Sequence, residues 1–375
     1  MLNLRVSIKC SVTDENIPAA ARENINNVGP VNNFLNSLFN QVDVLFNQKP
    51  VSPPNNAYAY RSYIETLLNY GPSAKNSHLM TALWSDDTAG KMDDTGDANV
   101  GLVNRRNALY NKSIDMVGHL HCDVFNQDRL LLNGVEIRVR FVRSSDNFAL
   151  MDPTGLYYIN IEEGNLLVRR VKISPSVQLA HAKTLMKTTA KYPLTRVEVK
   201  AITMHSGIHG ETLDNIILGQ LPKRIILEFV ENKVYNGDRA MNPYNFKNYG
   251  INFLCLYIDG VQIPSKPIQP DFNRKRYVDA YQTLFSGTGI HFLNEGNQIT
   301  REACPEGYCL FAFDLTPDLS ANDLTHWNLI KHGSVRLDVR FASALKATVN
   351  CIIFAEFENI LEIDASRQII VDYSG

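Results

Sequence analysis

The chain has 375 residues, a formal net charge of −2 and charged residues at 20% of the total. That length suits two domains of ordinary size, each able to bury its own hydrophobic core. The near-neutral charge provides no basic field for wrapping nucleic acid, so we expect no sequence-specific nucleic-acid partner. The six cysteines are scattered through apolar segments, which is typical of buried thiols in a reducing compartment. No apolar run reaches the length of a membrane span or a signal peptide, which predicts a soluble protein made inside the cell.

The first elements along the chain are a strand, a hairpin and a helix. Arg5–Ile8 has an apolar strand pattern, and Val44–Val51 reads as a strand, a tight turn and a return strand. Prolines follow, and Gly71 fits the end of the helix that comes next. Its apolar side chains recur at the spacing of a helix that covers a core, and they are Tyr60, Ile64, Leu67 and Leu68.

A long polar excursion, roughly Pro72 to Ser113, comes after this helix. Loops of this length are usually functional or disordered. Trp84 is a large ring within it, and such a ring is either a local anchor or a contact with another subunit. We therefore name Trp84, Tyr70 and Leu83 as candidate subunit-interface residues.

Strand patterns return after the excursion. Leu120–Val124 is one, and Val135–Phe141 is another, with apolar and charged residues in alternation. The turn residues Asn133 and Gly134 precede the second of them. Residues 172–192 are predicted to connect two domains, with a helix that begins near Ser174 and runs to about Thr188.

The second part of the chain repeats these elements in the same order. Val335–Phe341 matches Val135–Phe141 at an offset of 200, and Leu256–Ile263 matches the hairpin at an offset of 212. The helix face returns as Tyr277, Tyr281, Leu284 and Phe285, and two further strands align with the first copy, Arg224–Leu227 with Arg5–Ile8 and Phe311–Leu315 with Leu120–Val124. Since solenoid units recur every ~20–50 residues, a repeat this long indicates a duplicated domain.

Each copy holds about eight strands and one helix after a hairpin, which favours a jelly roll over the shorter immunoglobulin sandwich. We predict an all-β fold with a few short helices, a tandem double jelly roll with domains at 1–171 and 193–375. The second copy has an extra strand pattern at its front, Val197–Ile202, for which the first has no counterpart. We expect the first jelly roll to lack its opening strand, either because the gene product is truncated or because a partner supplies the edge.

Several segments are similar to the double jelly-roll major capsid proteins of Polinton (Maverick) elements and adintoviruses. The segments that carry this resemblance are Asn36–Val44, Tyr58–Leu68, Gln127–Val135, Leu218–Arg224 and Leu310–Leu319. The resemblance runs from about Arg5 to Tyr373, and it departs at the front, where members of the family have additional residues.

The resemblance implies a structural protein without catalytic residues or cofactors. It implies a homotrimer whose six jelly rolls form a pseudo-hexagonal capsomer. Neighbouring capsomers and a single jelly-roll vertex (penton) protein would be its partners in the virion capsid of a double-stranded DNA virus, made and assembled inside the host cell. The long loops of such trimers lock neighbouring subunits together, which favours the subunit-contact interpretation of Trp84.

Other patterns have weaker interpretations. His119 and His121 have the spacing of a cupin metal site, but the position of the expected Glu holds Phe125 or Asn126, so two core or interface histidines are the better interpretation. The acidic cluster Asp93–Asp97 lacks the closing Glu of a calcium loop, which favours a solvated loop. The alternative function is a tandem β-sandwich that binds a carbohydrate or a receptor, for which we expect a monomer or dimer stabilised by its ligand.

Overall fold

The structure, a computed structural model, describes residues 1–10, 27–53, 56–109, 113–290, 294, 296–322 and 330–371. Within these ranges β-strands dominate, and the helices are short. The strands form two units of similar pairing. We call residues 1–166 the first half and residues 190–371 the second half.

The first half consists of two facing sheets with helices at their ends. Its strands are β1 (Leu2–Cys10), β2 (Gly29–Pro30), β3 (Phe39–Phe46), β4 (Lys49–Pro50), β5 (Ser113–Gly118), β6 (Ile137–Arg143), β7 (Leu150–Met151) and β8 (Tyr157–Leu166). Its helices are α1 (Phe34–Ser37), α2 (Tyr58–Asn69), α3 (Pro72–Lys75), α4 (Val100–Leu109) and α5 (Asp146–Ala149), with 3₁₀ turns at His78–Ala82 and Asp123–Phe125. The sheet orders are β5-β1-β8 and β4-β3-β6, and β2 pairs with β7.

Helix α6 (Pro175–Leu185) lies between the halves, within the predicted connecting segment. The strands that follow are β9 (Ala190–Met204), β10 (Gly210–Gln220), β11 (Arg224–Glu231), β12 (Phe246–Lys247), β13 (Ile251–Ile258), β14 (Val261–Ile268), β15 (Glu306–Gly307), β16 (Leu310–Asp314), β17 (His332–Phe341), β18 (Val349–Ile363) and β19 (Ile369–Val371). The helices are α7 (Asn232–Tyr235) and α8 (Val278–Ser286). One sheet has the order β10-β17-β13-β14. The other has the order β16-β11-β18, and its strand β18 also pairs with β9 and β19.

The predicted hairpins are confirmed, residue for residue. Leu45 pairs with Pro50 in the first half, and Tyr257 pairs with Gln262 in the second, so the offset of 212 holds across the turn. Asp259 and Gly260 have positive φ angles, as the tight turn requires.

The alternating strands β6 and β17 are also confirmed, with a shift of two residues. Val44 pairs with Val139, whereas Leu256 pairs with Leu337, so the pairing relates these strands at an offset of 198 instead of 200. A shift of two residues keeps every side chain on the same face, because side chains alternate along a strand.

The central strands β1 and β11 share an ion-pair position. Arg5 pairs with Asp115 on β5 and lies 3.7 Å from Glu163 on β8. Arg224 pairs with Asp314 on β16, and its guanidinium is 3.3 Å from Glu356 on β18. The predicted alignment of Arg5–Ile8 with Arg224–Leu227 therefore holds in three dimensions.

One predicted strand is wrong. Leu120–Val124 is a loop that leads into the 3₁₀ turn Asp123–Phe125. The counterpart of β16 in the first half is β5, because β5 pairs with the central strand β1 as β16 pairs with the central strand β11. The sequence match was misleading because the loop Leu120–Val124 and strand β5 both combine apolar residues with one aspartate, which is Asp123 in the loop and Asp115 in the strand.

Among the residues that the structure describes, three clusters of buried side chains form the core. One fills the first half and one the second. The third joins the halves, since it combines α2 and the excursion with β9, β11 and β18. The far end of β18 and β19 also pack into the first-half cluster through Leu361, Ile363 and Ile369. The two halves are thus packed against each other over a common core.

Candidate assembly surfaces

Of the three predicted interface residues, Trp84 and Leu83 are enclosed by the chain itself. Trp84 is 2% exposed, Leu83 is 8% exposed and Tyr70 is 38% exposed. The Trp84 ring stacks on Tyr63 at 5.2 Å between centroids, and its indole nitrogen donates to Asp86 at 3.0 Å. These contacts favour the local-anchor interpretation of Trp84 and Leu83. Contact with another subunit stays a prediction, carried best by the exposed ring of Tyr70.

The stack around Trp84 continues into the second half. Tyr63 of α2 lies parallel to Tyr244 at 3.9 Å between ring centroids, with an interplanar angle of 1°. Tyr60 packs edge-on against Tyr244 and stacks on Tyr235 at 5.4 Å. Buried aromatic pairs add about 0.5–1.5 kcal/mol each to the burial of their surface, so this cluster stabilises the contact between halves.

The long excursion is folded and packed instead of being an open loop. Asp87 and Arg105 form an ion pair of 2.6 Å with both side chains fully buried. Asn242 of the second half donates to Asp87 at 2.9 Å, and the hydroxyl of Tyr308 donates to the Asp87 carbonyl at 2.6 Å. The excursion is therefore a clamp between the halves, and we call the part from Trp84 to Arg105 the interhalf clamp.

The acidic cluster Asp93–Asp97 is partly committed to contacts within the chain. Asp93 accepts hydrogen bonds from the Asn242 backbone and the Asn245 side chain, and it lies 3.1 Å from the Lys247 ammonium. Asp97 is exposed. Because Asp93 already has a cation and two donors, the contacts describe a surface loop fastened to the second half rather than a calcium cage.

His121 belongs to a buried charge network, which sequence analysis missed. Its Nδ1 is 2.6 Å from Glu65, and Arg61 bridges Glu65 at 2.8 Å and Asp123 at 2.6 Å. The backbone of Val197 on β9 also donates to Asp123. The signal was present in the sequence, since Arg61 and Glu65 are four apart on α2 and so share a helix face.

The network controls the ionisation of its carboxylates. Burial opposes the charge on Glu65, but the Arg61 guanidinium and the hydrogen bond with His121 outweigh it and lower the pKa of Glu65 to about 2. Burial is also the main influence on Asp123, where it outweighs Arg61 and raises the pKa. The network is a structural joint between α2, the loop after β5, and β9.

His119 points to a different partner. Its ring nitrogen Nε2 is 2.7 Å from the Asn126 side chain, and the two histidine rings are 6.3 Å apart. Across the described residues, no group of three or more His, Cys, Asp or Glu side chains is arranged to hold a metal ion. No helix in the described part of the chain is long and apolar enough to cross a membrane.

Comparison with known sequences gives one relative over nearly the whole chain. No family model matches. The chain is 24% identical to an uncharacterized protein of Caenorhabditis elegans over an alignment of 376 positions, gaps included, which spans 96% of the chain and 87% of that protein. A second, partial match is 23% identical over 203 residues to a glycylpeptide N-tetradecanoyltransferase of Neurospora crassa and covers 34% of that enzyme.

Solved structures share the whole architecture. A chain of the Sputnik virophage covers 100% of this chain at a TM-score of 0.56 and 12% identity, and 82% of that chain is matched. VP54 of PBCV-1, fitted into a reconstruction of Sputnik, has a TM-score of 0.55 at 8% identity, with 100% and 89% covered. The Faustovirus major capsid protein has a TM-score of 0.52 at 7% identity, with 96% and 84% covered. The fold is a double jelly roll.

The two jelly rolls differ at two strand edges. In the second, β18 pairs on one side with β11 and on the other with β9, and β17 pairs with both β13 and β10. In the first, the corresponding strands β8 and β6 pair only with β1 and β3 among the residues that the structure describes. Among the described residues, the first half therefore shows no strand that corresponds to β9 and none that corresponds to β10, and the lack of an opening strand stays a prediction.

A cleft of about 1800 Å³ opens between these two edges. Apolar side chains of both sheets line it, among them Phe46, Ile137, Val139 and Phe141. Leu166, Leu167 and Val168 line its other wall, and all three are exposed to solvent. We call this the open cleft of the first jelly roll.

Proposed function

We propose that this protein is the major capsid subunit of an icosahedral double-stranded DNA virus or virus-like element. Three copies form a capsomer, in which six jelly rolls give a nearly hexagonal outline. The observation that carries the proposal is the pairing of two like-built jelly rolls on a common core. Each half repeats the same hairpin, helix and central ion-pair position, so a threefold ring of chains has approximate sixfold shape.

The likeness to the Faustovirus major capsid protein extends over 96% of the chain and supports this role. The five sequence segments that resemble Polinton and adintovirus capsid proteins support a source in that group. For the same reason we propose neighbouring capsomers and a single jelly-roll vertex protein as partners within a virion capsid. The role is mechanical, and it requires no catalytic residue, cofactor or sequence-specific contact with DNA.

The interhalf clamp supports a mechanical role of the fold, because it holds the two jelly rolls in a fixed relation. A capsomer can keep its outline only if the two jelly rolls of each chain hold a fixed relation, and buried ion pairs and stacked rings restrict their relative motion. An interface between separate subunits needs about 1,200–2,000 Å² of buried surface for stable association.

Light scattering coupled to size exclusion, followed by negative-stain imaging, tests the proposal. We expect a particle of three times the 42.2 kDa chain mass, with a hexagonal outline. An isolated monomer whose melting temperature rises with a sugar ligand would support the carbohydrate-binding alternative instead. A monomer without any such response would contradict both.

A further inference from the structure

One buried acidic side chain lies at the contact between the halves without a partner. In the described part of the chain five acidic side chains are buried, and four of them have an arginine or backbone donors as partners; these four are Asp87, Asp123, Asp152 and Asp314. The fifth is Glu228, which is 0% exposed. Neither of its carboxylate oxygens accepts a hydrogen bond from any described residue.

Glu228 lies in the middle of β11, on the face that packs against the first half. Its cross-strand neighbours are Leu310 and Ile352, and Ile226 and Val230 flank it along the strand on the same face. All four neighbours are buried members of the cluster that joins the halves. Apolar side chains therefore enclose the carboxyl group at the contact between the two jelly rolls.

The matching face of the first half is polar. Arg224 of β11 corresponds to Arg5 of β1, so Glu228 corresponds to Lys9, which is exposed. In the second half this face is covered in part by α2 of the first half, whose Tyr60 belongs to the joining cluster. Burial raises the pKa of the Tyr60 hydroxyl, and Glu228 is among the groups close enough to add to that shift. Separation of the halves would remove this cover and let water reach the carboxyl group.

The titratable groups of this contact stay neutral, and the charged ones have other partners. Burial raises the pKa of the Cys351 thiol and of four tyrosines, which are Tyr60 on α2, Tyr235 on α7, and Tyr244 and Tyr249 on either side of β12. The charged side chains of the elements around β11 form the ion pairs Arg61–Glu65, Lys233–Asp238, Lys247–Asp93 and Arg224–Glu356, and Asp314 on β16 accepts backbone hydrogen bonds. Glu228 therefore meets no compensating charge in the described part of the chain.

A buried carboxylate without a cation or a donor is costly, because its charge loses the hydration that water provides. Burial therefore raises the pKa of Glu228 well above its usual range, and the docked halves hold the group with its proton. In the unfolded chain, or with the halves apart, the same carboxyl group would ionise near its ordinary pKa of 4.5. Closing the contact thus binds one proton, and a rise in pH opposes it.

We propose that Glu228 makes the contact between the two jelly rolls sensitive to pH. The docked halves take up one proton at this side chain, and rising pH loosens the contact. The stabilisation is fully present below pH 4.5 and is lost progressively as the pH rises towards the raised pKa of the folded protein. The inference goes beyond the capsid role and holds whether or not the protein forms capsomers, since it depends on one side chain within the chain.

Chemical denaturation of the full chain at pH 5, 6, 7 and 8 tests the proposal, with Glu228→Gln as the neutral variant of similar shape. Because unfolding releases one proton, the ratio of unfolding constants, wild type over Glu228→Gln, should rise by up to tenfold for each pH unit. We expect a rise of at least tenfold between pH 5 and pH 7. A ratio that does not change with pH would overturn the proposal, since Glu228 would then be ionised in both states.

Two further variants keep this test independent of how well one variant folds. Glu228→Leu has no titratable group and should show the same pH dependence as Glu228→Gln. Glu231→Gln is the matched control, because Glu231 is on the same strand, is partly exposed and lies 3.9 Å from both Lys233 and Lys247. We expect no rise of the ratio with pH for this control. A rise of the same size would contradict the assignment to Glu228.

Amide hydrogen exchange shows whether the contact between the halves is what opens. Wild type and Glu228→Gln are compared at the same pH, first 5 and then 8, so the intrinsic pH dependence of exchange cancels. At pH 8 we expect the most protected amides of α2 and β11 to exchange at least tenfold faster in the wild type, with a smaller difference at pH 5. Faster exchange in β11 with α2 unchanged would show that water reaches Glu228 without separation of the halves, which would overturn the proposal.

Discussion

The two jelly rolls have the same strand pairing but differ in how much of their apolar surface they bury. The hairpins pair at identical positions, and the central arginines Arg5 and Arg224 contact equivalent carboxylates. Strand β17 nevertheless buries Val335, Leu337 and Val339 completely, whereas β6 leaves Ile137 exposed. The difference teaches that turn geometry and side-chain alternation suffice to set the register, while burial depends on strands from elsewhere that cover the edge.

The largest expected effect concerns the clamp that holds the two jelly rolls together. Replacing Arg105 by Ala leaves the fully buried Asp87 without its cation, and breaking such a pair costs about 3–5 kcal/mol. Chemical denaturation should show this loss in the free energy of unfolding. Arg138→Ala is the control, since that arginine is largely exposed beside Glu136 and should change stability by less than about 0.5 kcal/mol. Similar losses for both variants would mean that the clamp contributes little.

A second effect distinguishes the equivalent helices by their response to acid. Helix α2 carries Arg61 and Glu65, whereas Val278 and Gln282 stand at the matching positions of α8. The pKa of Glu65 is lowered to about 2 from 4.5, so its contribution is fully present above pH 4.5 and is lost as the pH falls towards 2. The loss is on the order of 3 kcal/mol, and the raised pKa of Asp123 offsets part of it.

Thermal melting between pH 2 and pH 6 checks this prediction. The wild-type protein should lose stability across that interval more steeply than Glu65→Gln, which cannot ionise at this position. Amide hydrogen exchange, resolved by segment of the chain, should show that the acid-induced opening occurs near α2 and the loop that contains Asp123. An equally steep fall in the variant would assign the acid sensitivity to other carboxylates.

The third effect measures the burial difference directly. Val339 is fully buried on β17, and its match in sequence, Val139, is partly exposed to the open cleft. Val339→Ala should cost about 2 kcal/mol, because removing buried methyl groups leaves a cavity. Val139→Ala should cost less than about 1 kcal/mol, since its side chain is only partly buried and lines the open cleft. Equal costs from denaturation of the two variants would mean that the cleft is closed in solution.

Sequence reasoning recovered the duplicated architecture because its signals are local. The Asp259-Gly260 turn, the spacing of Tyr60, Ile64 and Leu67, and the alternation in β6 each reflect one element and its nearest partner. The error at Leu120–Val124 arose for the same reason. A short apolar run with an aspartate fits a strand, and only the pairing of β5 with β1 excludes it.

The packed excursion could not be predicted in this way. Asp87, Arg105 and Asn242 are polar residues far apart in the sequence, and their burial follows from the docking of the two jelly rolls. Trp84 was noticed as a ring in a polar stretch, but its enclosure depends on Tyr63 and on the second half behind it. Composition therefore identified the segment as unusual, but it did not indicate whether Trp84 packs inside the chain or contacts another subunit.

The smallest expected effect on folding is that of Tyr70→Ala, which tests the predicted subunit contact with Trp84→Ala as the comparison. Trp84→Ala should destabilise the monomer by about 3–5 kcal/mol, because its ring is buried against Tyr63 and below Lys75. Tyr70→Ala should change the monomer by less than about 0.5 kcal/mol, since the ring is 38% exposed. If Tyr70 contacts another subunit, that variant should raise the dissociation constant of the trimer at least tenfold, measured by light scattering on dilution. Unchanged assembly in Tyr70→Ala would remove Tyr70 from the predicted subunit interface.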